Sequence, residues 1–125
     1  MLSKQVSEIC MYDKNGYITK RFIQPENPVG ACYTFKYDLK GDLIECDFYR
    51  NPKELINVTK FTYNDSREVV EEKNYFYGKL TMHSNYSYLE FDSENNWTKR
   101  KASYESPWDP GAKNTETIIR KITYY

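Results

Sequence analysis

Met11-Tyr12-Asp13-Lys14-Asn15-Gly16-Tyr17-Ile18 is the stretch that decides the fold, because its pattern occurs four times along the chain. Each copy has an aromatic residue followed by Asp or Asn, a turn residue three places on, and a large apolar residue two places further. The copies start at Tyr12, Tyr37, Tyr63 and Phe91, and their Asp or Asn positions lie 25, 26 and 28 residues apart. A repeat of this period indicates one supersecondary unit that is used several times.

Each copy predicts a β-hairpin. The aromatic residue and the residue two places before it are apolar, with a mostly polar residue between them, which is the alternation of a strand with one buried face. Asp or Asn at the next position favours a turn, and Gly16 and Gly41 supply a left-handed residue at its end. The third and fourth turns keep the spacing with poorer turn chemistry, and Arg67 in the position of the glycine leaves the third turn in doubt. The return strands are predicted to open at Ile18, Leu43, Val69 and Trp97.

The hairpins are predicted at about 8–24, 33–49, 59–77 and 86–105, with a closing strand at about 115–125. Pro, Gly and Asn separate them at 25–28, 51–53 and 77–78, and 107–111 is the longest punctuated loop. Hairpins in sequence order make an antiparallel meander, so the predicted fold is all-β, in a single domain of residues 1–125. The sheet is expected to be open and twisted, with a closed barrel as the alternative.

Composition narrows the class of protein. The 18 basic and 18 acidic residues cancel, and 17% of the residues are aromatic, with 13 Tyr. Disordered chains are usually poor in aromatic residues and carry net charge, so an ordered β domain is favoured. No basic excess supports binding to nucleic acid. No apolar run approaches the ~20 residues of a membrane span, and the first residues have no hydrophobic signal-peptide core, so either the protein is cytosolic or a signal was removed.

Cysteine and histidine give no sign of a metal, cofactor or redox site. The three cysteines include no Cys-x-x-Cys pair, Cys10 takes a repeat position that suits a small buried side chain, and a Cys32–Cys46 disulfide is left open. The single histidine, His83, lacks the partners of a catalytic or metal site. Glu90 and Asp92 are two apart on a strand and could form a hydrolase pair, but Asp92 is already needed as a turn residue.

The aromatic surplus is the one feature that points to function. Part of it is expected in the core, namely Tyr12, Phe35, Tyr37, Phe61, Tyr63, Phe91 and Trp97. Four residues without a clear inward position are the candidate ligand contacts, because exposed Tyr and Trp stack on sugar rings or anchor protein partners. These candidates are Trp108, Tyr86, Tyr88 and Tyr104.

The repeated motif resembles the YD repeat of RHS proteins and of related secreted or lipid-anchored proteins of gut Bacteroidetes. The matching segments are Met11–Ile18, Lys36–Leu43 and Phe91–Arg100, and the four copies cover most of residues 8–105. The resemblance implies extended β-structure and a surface or secreted location, and it implies no catalytic residues. RHS proteins wrap their repeats into a shell around a toxin, and 125 residues are too few to enclose a cargo.

The predicted function is therefore binding without catalysis. The first hypothesis is a module at the cell surface or outside the cytoplasm that contacts a protein partner through a sheet face or edge, with a cytoplasmic location left open. The alternative is a carbohydrate-binding module that uses exposed Tyr and Trp. An unpaired edge strand would also allow a homo-oligomer.

Overall fold

The computed structural model describes residues 8–23 and 30–125, and this part of the chain is all-β. It contains nine strands and no helix: β1 (Glu8–Tyr12), β2 (Ile18–Ile23), β3 (Cys32–Tyr37), β4 (Leu43–Asn51), β5 (Glu54–Tyr63), β6 (Val69–Phe76), β7 (Lys79–Phe91), β8 (Trp97–Ser106) and β9 (Asp109–Ile119). Among these residues no helix has the length and hydropathy of a membrane span.

The described strands form one antiparallel sheet in chain order, from β1 at one end to β9 at the other. Because these end strands are not paired with each other, the sheet is open, and the barrel alternative is wrong. The chain divides into two compact units. The first takes in the residues up to Lys60 together with Tyr75–Lys79, and the second takes in Phe61–Asn74 and Leu80–Tyr125. The single domain stays a prediction.

The four repeats are four hairpins, as the motif predicted. The outgoing strands β1, β3, β5 and β7 end at the aromatic residue of each copy, and the return strands β2, β4, β6 and β8 begin at its apolar residue. Local turn chemistry fixes both ends, because the Asp or Asn after the aromatic residue starts the turn at the same place in every copy.

All four turns have the same hydrogen bonds. The amide of the fourth turn residue donates to the carbonyl of the first, at 3.1 Å in turn 1 (Gly16 to Asp13) and 3.0 Å in turn 3 (Arg67 to Asn64). The fourth residue is left-handed in every turn, with φ of 86°, 88°, 64° and 62° at Gly16, Gly41, Arg67 and Asn95. The third turn therefore forms despite the bulky residue, and the doubt about it was unfounded.

The end of the chain differs from the prediction. The closing strand β9 spans Asp109–Ile119 rather than 115–125, and the predicted loop at 107–111 is a two-residue turn at Pro107 and Trp108. Pro110 is accommodated because β9 is an edge strand with an irregular start, where no register partner is found between Asp109 and Lys113. The predicted breaks at 51–53 and 77–78 are likewise tight turns, so β5 and β7 begin earlier than expected. The predicted break at 25–28 lies outside the described residues.

Few side chains are fully buried. In the described residues the buried apolar side chains are Cys32, Ile56 and Ala102. Two of the aromatic residues assigned to the core are largely exposed, Tyr12 at 63% and Phe91 at 49%, so their assignment was wrong. Each ends its strand beside a turn, and β1 has a neighbouring strand on one side alone, so little chain is available to cover these rings.

The cysteines are free. Cys32 faces Tyr49 across β3 and β4, whereas Cys46 faces Phe35. Because residues an odd number of places apart on a strand point to opposite faces, Cys32 and Cys46 lie on opposite sides of the sheet and cannot form a disulfide in this register.

Candidate binding site

Three of the four predicted ligand contacts share one face of the sheet. Tyr86 lies opposite Ala102 and Tyr88 opposite Arg100 on β7 and β8, while Tyr104 lies opposite Ser84, two residues before Tyr86. The small residues of this face are the buried ones, with Ala102 0% and Ser84 2% exposed. We call Tyr86, Tyr88 and Tyr104 the tyrosine face. The alternation along β7 brings Tyr86 and Tyr88 together, and the register with β8 adds Tyr104.

The hydroxyl groups of the tyrosine face are engaged by the protein itself. Tyr86 Oη donates to Glu72 Oε2 at 3.0 Å, Tyr104 Oη to Glu116 Oε1 at 2.5 Å, and Tyr88 Oη to the carbonyl of Val69 at 2.5 Å. The hydrogen bond to Glu116 raises the pKa of Tyr104 to about 12. Burial, followed by the charge of Glu72, raises the pKa of Tyr86. These groups serve to join strands, which limits what they can offer to a glycan.

Two arginines cover the aromatic rings beside this face. The guanidinium of Arg100 lies over the rings of Tyr86 and Trp97, at 4.5 and 4.8 Å from their centroids. Arg120 lies 3.8 Å from the centroid of Trp97 and donates its Nε–H to the Trp97 carbonyl at 2.6 Å. An open cleft of about 470 Å³ adjoins these side chains. Since cation–π contacts occupy one face of the Tyr86 and Trp97 rings, a sugar that stacks on that face would have to displace an arginine.

Trp108 is the exposed aromatic residue among the four candidates. It lies in the turn between β8 and β9, and the residue is 67% exposed to solvent. It is separated from the tyrosine face by the last two residues of β8 and by Pro107. Trp108 therefore lies in a different element from the tyrosine face, and a role of the four residues in ligand binding stays a prediction.

The open edge of β9 is a feature that the sequence prediction placed incorrectly. The register with β8 is regular from Lys113 to Ile119, and the amide of Arg120 donates to the Thr98 carbonyl at 2.9 Å. In an antiparallel pair the hydrogen-bonded positions alternate, so the even-numbered residues from 114 to 120 bond to β8. The amides and carbonyls of Thr115, Thr117 and Ile119 consequently point away from β8.

A carboxylate pair in the first unit was also missed. Glu45 and Asp47 share a face of β4, with Lys36 Nζ 2.8 Å from Glu45 Oε2 and 4.0 Å from Asp47 Oδ2. Lys60 Nζ lies 3.9 Å from Glu45 Oε1. Asp47 is 4% exposed and its Oδ1 has no hydrogen-bond partner. Two acids at positions i and i+2 within a predicted strand were the available signal.

The pKa values of the two carboxyl groups of this pair shift in opposite directions. Burial, together with the adjacent Glu45, raises the pKa of Asp47 to about 6, while the hydrogen bond from Lys36 lowers the pKa of Glu45. Two adjacent carboxyl groups whose pKa values differ in this way can share one proton. One cleft on this face is lined by Thr34 and Tyr49 and by neither carboxylate.

The remaining titratable candidates have structural partners. Glu90 Oε1 lies 3.8 Å from Lys99 Nζ, and His83 Nε2 lies 2.8 Å from Glu71 Oε2. Asp92 accepts backbone hydrogen bonds within its own turn and a further one from the Tyr124 hydroxyl. Within residues 8–23 and 30–125, no three metal-ligating side chains come together.

Comparison with known proteins gives a likeness of fold. No family model matches the chain, and no curated protein matches it. Among solved structures, a DUF3836 family protein from Parabacteroides distasonis ATCC 8503 is similar, with a TM-score of 0.53 and 14% sequence identity. The match covers 71% of this chain and 89% of that protein. At this identity the likeness extends to the all-β fold alone.

Proposed function

We propose that this chain is a non-catalytic module that binds a protein partner by accepting an extended partner segment along the open edge of β9. The observation that carries the proposal is the outward direction of the backbone groups of Thr115, Thr117 and Ile119. No described strand lies on that side of β9. An added strand would satisfy these groups and extend the sheet.

The residues along this edge suit strand addition. Soluble β proteins commonly protect an edge with lysine, proline or a bulge. The irregular register protects the start of β9, whereas residues 114–119 read Asn-Thr-Glu-Thr-Ile-Ile. Threonine and isoleucine favour extended backbone, and Ile119 is 75% exposed. The second half of β9 is therefore the more accessible template for a partner.

The location outside the cytoplasm or at the cell surface is part of this proposal, and its support is the resemblance of the hairpins to YD repeats. A cytoplasmic location is the alternative. Fractionation of the source cells with an antibody to the purified protein distinguishes the two, since a cytoplasmic fraction holding nearly all of the protein contradicts the proposed location.

Thr117→Pro tests the binding edge. Proline removes an outward N–H while leaving the bonds of the neighbouring residues to β8, and edge strands tolerate it. Thr117→Val is the matched control, because it keeps the N–H and the β-branched shape. We expect proteins captured from extracts of the source cells by the wild type and by Thr117→Val to be lost with Thr117→Pro. Equal capture by all three folded proteins would overturn the proposal.

Carbohydrate binding is the second candidate, and the exposure of Trp108 favours it. A glycan that binds at this turn should change the tryptophan fluorescence and raise the melting temperature, because a ligand of the folded state stabilises it by mass action. Both effects should disappear in Trp108→Ala and persist in Tyr88→Phe. A glycan panel without any shift in melting temperature would leave the protein-binding edge as the sole proposal.

A further inference from the structure

The open edge of β9 is complementary to itself. On the face that carries Tyr104, the side chains of β9 and the residue after it run Glu116, Ile118, Arg120. The order along the strand is acidic, apolar, basic. When a second copy runs antiparallel to the first, each acidic residue faces a basic one and the apolar residues face each other. A two-fold axis at Ile118 would set Glu116 against the partner's Arg120 and Ile118 against the partner's Ile118.

We infer that the strand partner of β9 is a second copy of this chain, in a symmetric dimer whose two-fold axis passes through Ile118. This inference rests on the proposed strand addition and names the occupant of the edge. Both surfaces of such a dimer are the same patch, so the pairing of Glu116 with the partner's Arg120 occurs twice and the contact between the two Ile118 side chains occurs once, on the axis.

The backbone geometry allows this register. Antiparallel strands bond through residues that both point toward the new neighbour, and on β9 these are the odd-numbered positions. An axis at Ile118 pairs Thr117 with the partner's Ile119, which are both outward positions. The even-numbered pairs then fall at non-hydrogen-bonded sites, where Cα atoms approach to about 4.5 Å and side chains are closest.

Other registers with the same parity are less favourable for the side chains. An axis at Glu116 opposes two carboxylates directly, which is destabilising in a sheet. An axis at Thr117 sets Glu116 against the partner's Ile118 and leaves Arg120 opposite Asn114. An axis at Ile119 sets Ile118 against the partner's Arg120, and an axis at Arg120 opposes two guanidinium groups. Axes before Glu116 bring in residues 110–112, for which no register partner on β8 is found. The axis at Ile118 pairs unlike charges and like apolar groups at every position of this face from 116 to 120.

The first experiment measures the charge pairing in the wild-type cysteine background. Glu116→Arg and Arg120→Glu each place like charges across the axis, and we expect either change to weaken dimerisation about tenfold by sedimentation velocity, since two cross-strand pairs are lost. The combined Glu116→Arg, Arg120→Glu protein restores the unlike pairs and should dimerise more tightly than either single variant, while the bonds of Glu116 to Tyr104 and of Arg120 to Trp97 within the chain stay lost in it. A monomeric wild type, or a double variant as weak as the singles, would overturn the inference.

The second experiment reads the register by disulfide formation. In a background with Cys10→Ser, Cys32→Ala and Cys46→Ser, verified as folded by circular dichroism, Ile118→Cys should give a covalent dimer on mild oxidation, because directly opposed residues have suitable Cα separations. Thr117→Cys is the matched control and should remain mostly monomeric. Preferential cross-linking of Thr117→Cys would place the axis elsewhere and contradict the proposed register.

The two proposals fail separately. A wild type that is monomeric at all concentrations, yet loses captured proteins in Thr117→Pro, keeps strand addition and excludes the second copy as its occupant. A dimer that is unaffected by Thr117→Pro contradicts the inference, because the outward N–H of Thr117 is required for it. Strand addition is then decided separately, by whether the captured proteins are lost with Thr117→Pro.

Discussion

A single side-chain oxygen organises each of the four turns. Asp13 Oδ1 accepts the amides of Asn15 and Tyr17, at 2.8 and 3.0 Å, and the first residue of every other turn accepts the corresponding two amides. The bond two residues on was predictable from the sequence, because Asp and Asn make it in many turns. The bond four residues on was not predicted, since it depends on the left-handed residue that folds the chain back.

Gly16 and Gly41 occupy the same left-handed position in different surroundings. A Cβ atom at Gly16 would meet no heavy atom within 4 Å, whereas one at Gly41 would lie 2.9 Å from Cζ of Tyr17 and closer still to its hydroxyl. We expect Gly16→Ala to lower the free energy of unfolding by about 1 kcal/mol, through backbone strain alone. Gly41→Ala should cost more, because the Tyr17 ring also stacks on Tyr37 at 5.1 Å. Urea unfolding of both variants in wild-type and Tyr17→Ala backgrounds measures this, and an excess cost at Gly41 that survives Tyr17→Ala would contradict the steric cause.

Asp47 makes the stability of the protein depend on pH. Its pKa is raised from 3.8 to about 6, so between these values the folded protein keeps a proton that the unfolded chain releases. This group therefore stabilises the fold less and less as the pH rises from about 4 to 6. Asp47→Asn should remove that decline and should be more stable than the wild type above pH 6.

Unfolding in urea at several pH values measures the dependence on Asp47. Asp65→Asn, at an exposed position of the third turn, is the control and should follow the wild type. An Asp47→Asn profile that runs parallel to the wild-type profile between pH 4 and 6 would contradict the raised pKa of Asp47.

At the scale of the strand, predictability followed the local chemistry. The ends of all four hairpins next to their turns were predicted to the residue, since Asp or Asn and a left-handed residue specify them. The end of the second hairpin and the starts of the third and fourth were placed too short, because the breaks at 51–53 and 77–78 are tight turns. The start of β9 was also misplaced, because the proline that was taken to indicate a loop is tolerated in an edge strand.

In the candidate site, too, the local features were predictable and the contacts between distant segments were not. Alternation on β7 made Tyr86 and Tyr88 predictable neighbours, whereas the hydrogen-bond acceptors of their hydroxyl groups were not predicted. Their acceptors Glu72 and Val69 are 14 and 19 residues away in the chain, on β6. The register of non-adjacent segments determines such contacts, and no local pattern in a single sequence reports it.

The C-terminal residues are attached to the fourth turn by Tyr124. Its hydroxyl donates to Asp92 Oδ2 and accepts from Asn96 Nδ2, and the first of these bonds lowers the pKa of Asp92. Tyr124→Phe should raise the pKa of Asp92 toward its ordinary value and accelerate amide exchange in residues 120–125. Tyr125→Phe, at a fully exposed neighbour, should do neither. An NMR titration with hydrogen exchange checks both, and an unchanged Asp92 pKa in Tyr124→Phe would contradict the attachment.

At the scale of the whole molecule, the small number of buried side chains sets the response to denaturant. No large side chain in the described residues is fully buried. Because the slope of unfolding free energy against urea concentration scales with the surface exposed on unfolding, we expect a slope near 1 kcal/mol/M, at the low end for small proteins. Equilibrium unfolding followed by circular dichroism gives this value, and a slope above about 2 kcal/mol/M would indicate more burial than the structure shows.

The pairing of each described strand with its chain neighbours has a consequence for how such a protein is made and how it changes over generations. A hairpin can form once its own residues have left the ribosome, because none of its described partners lies far ahead in the chain. For the same reason, duplication or loss of one repeat of about 26 residues would lengthen or shorten the sheet without rerouting any other strand. Relatives of this protein should accordingly differ in length by whole hairpins more often than by single strands.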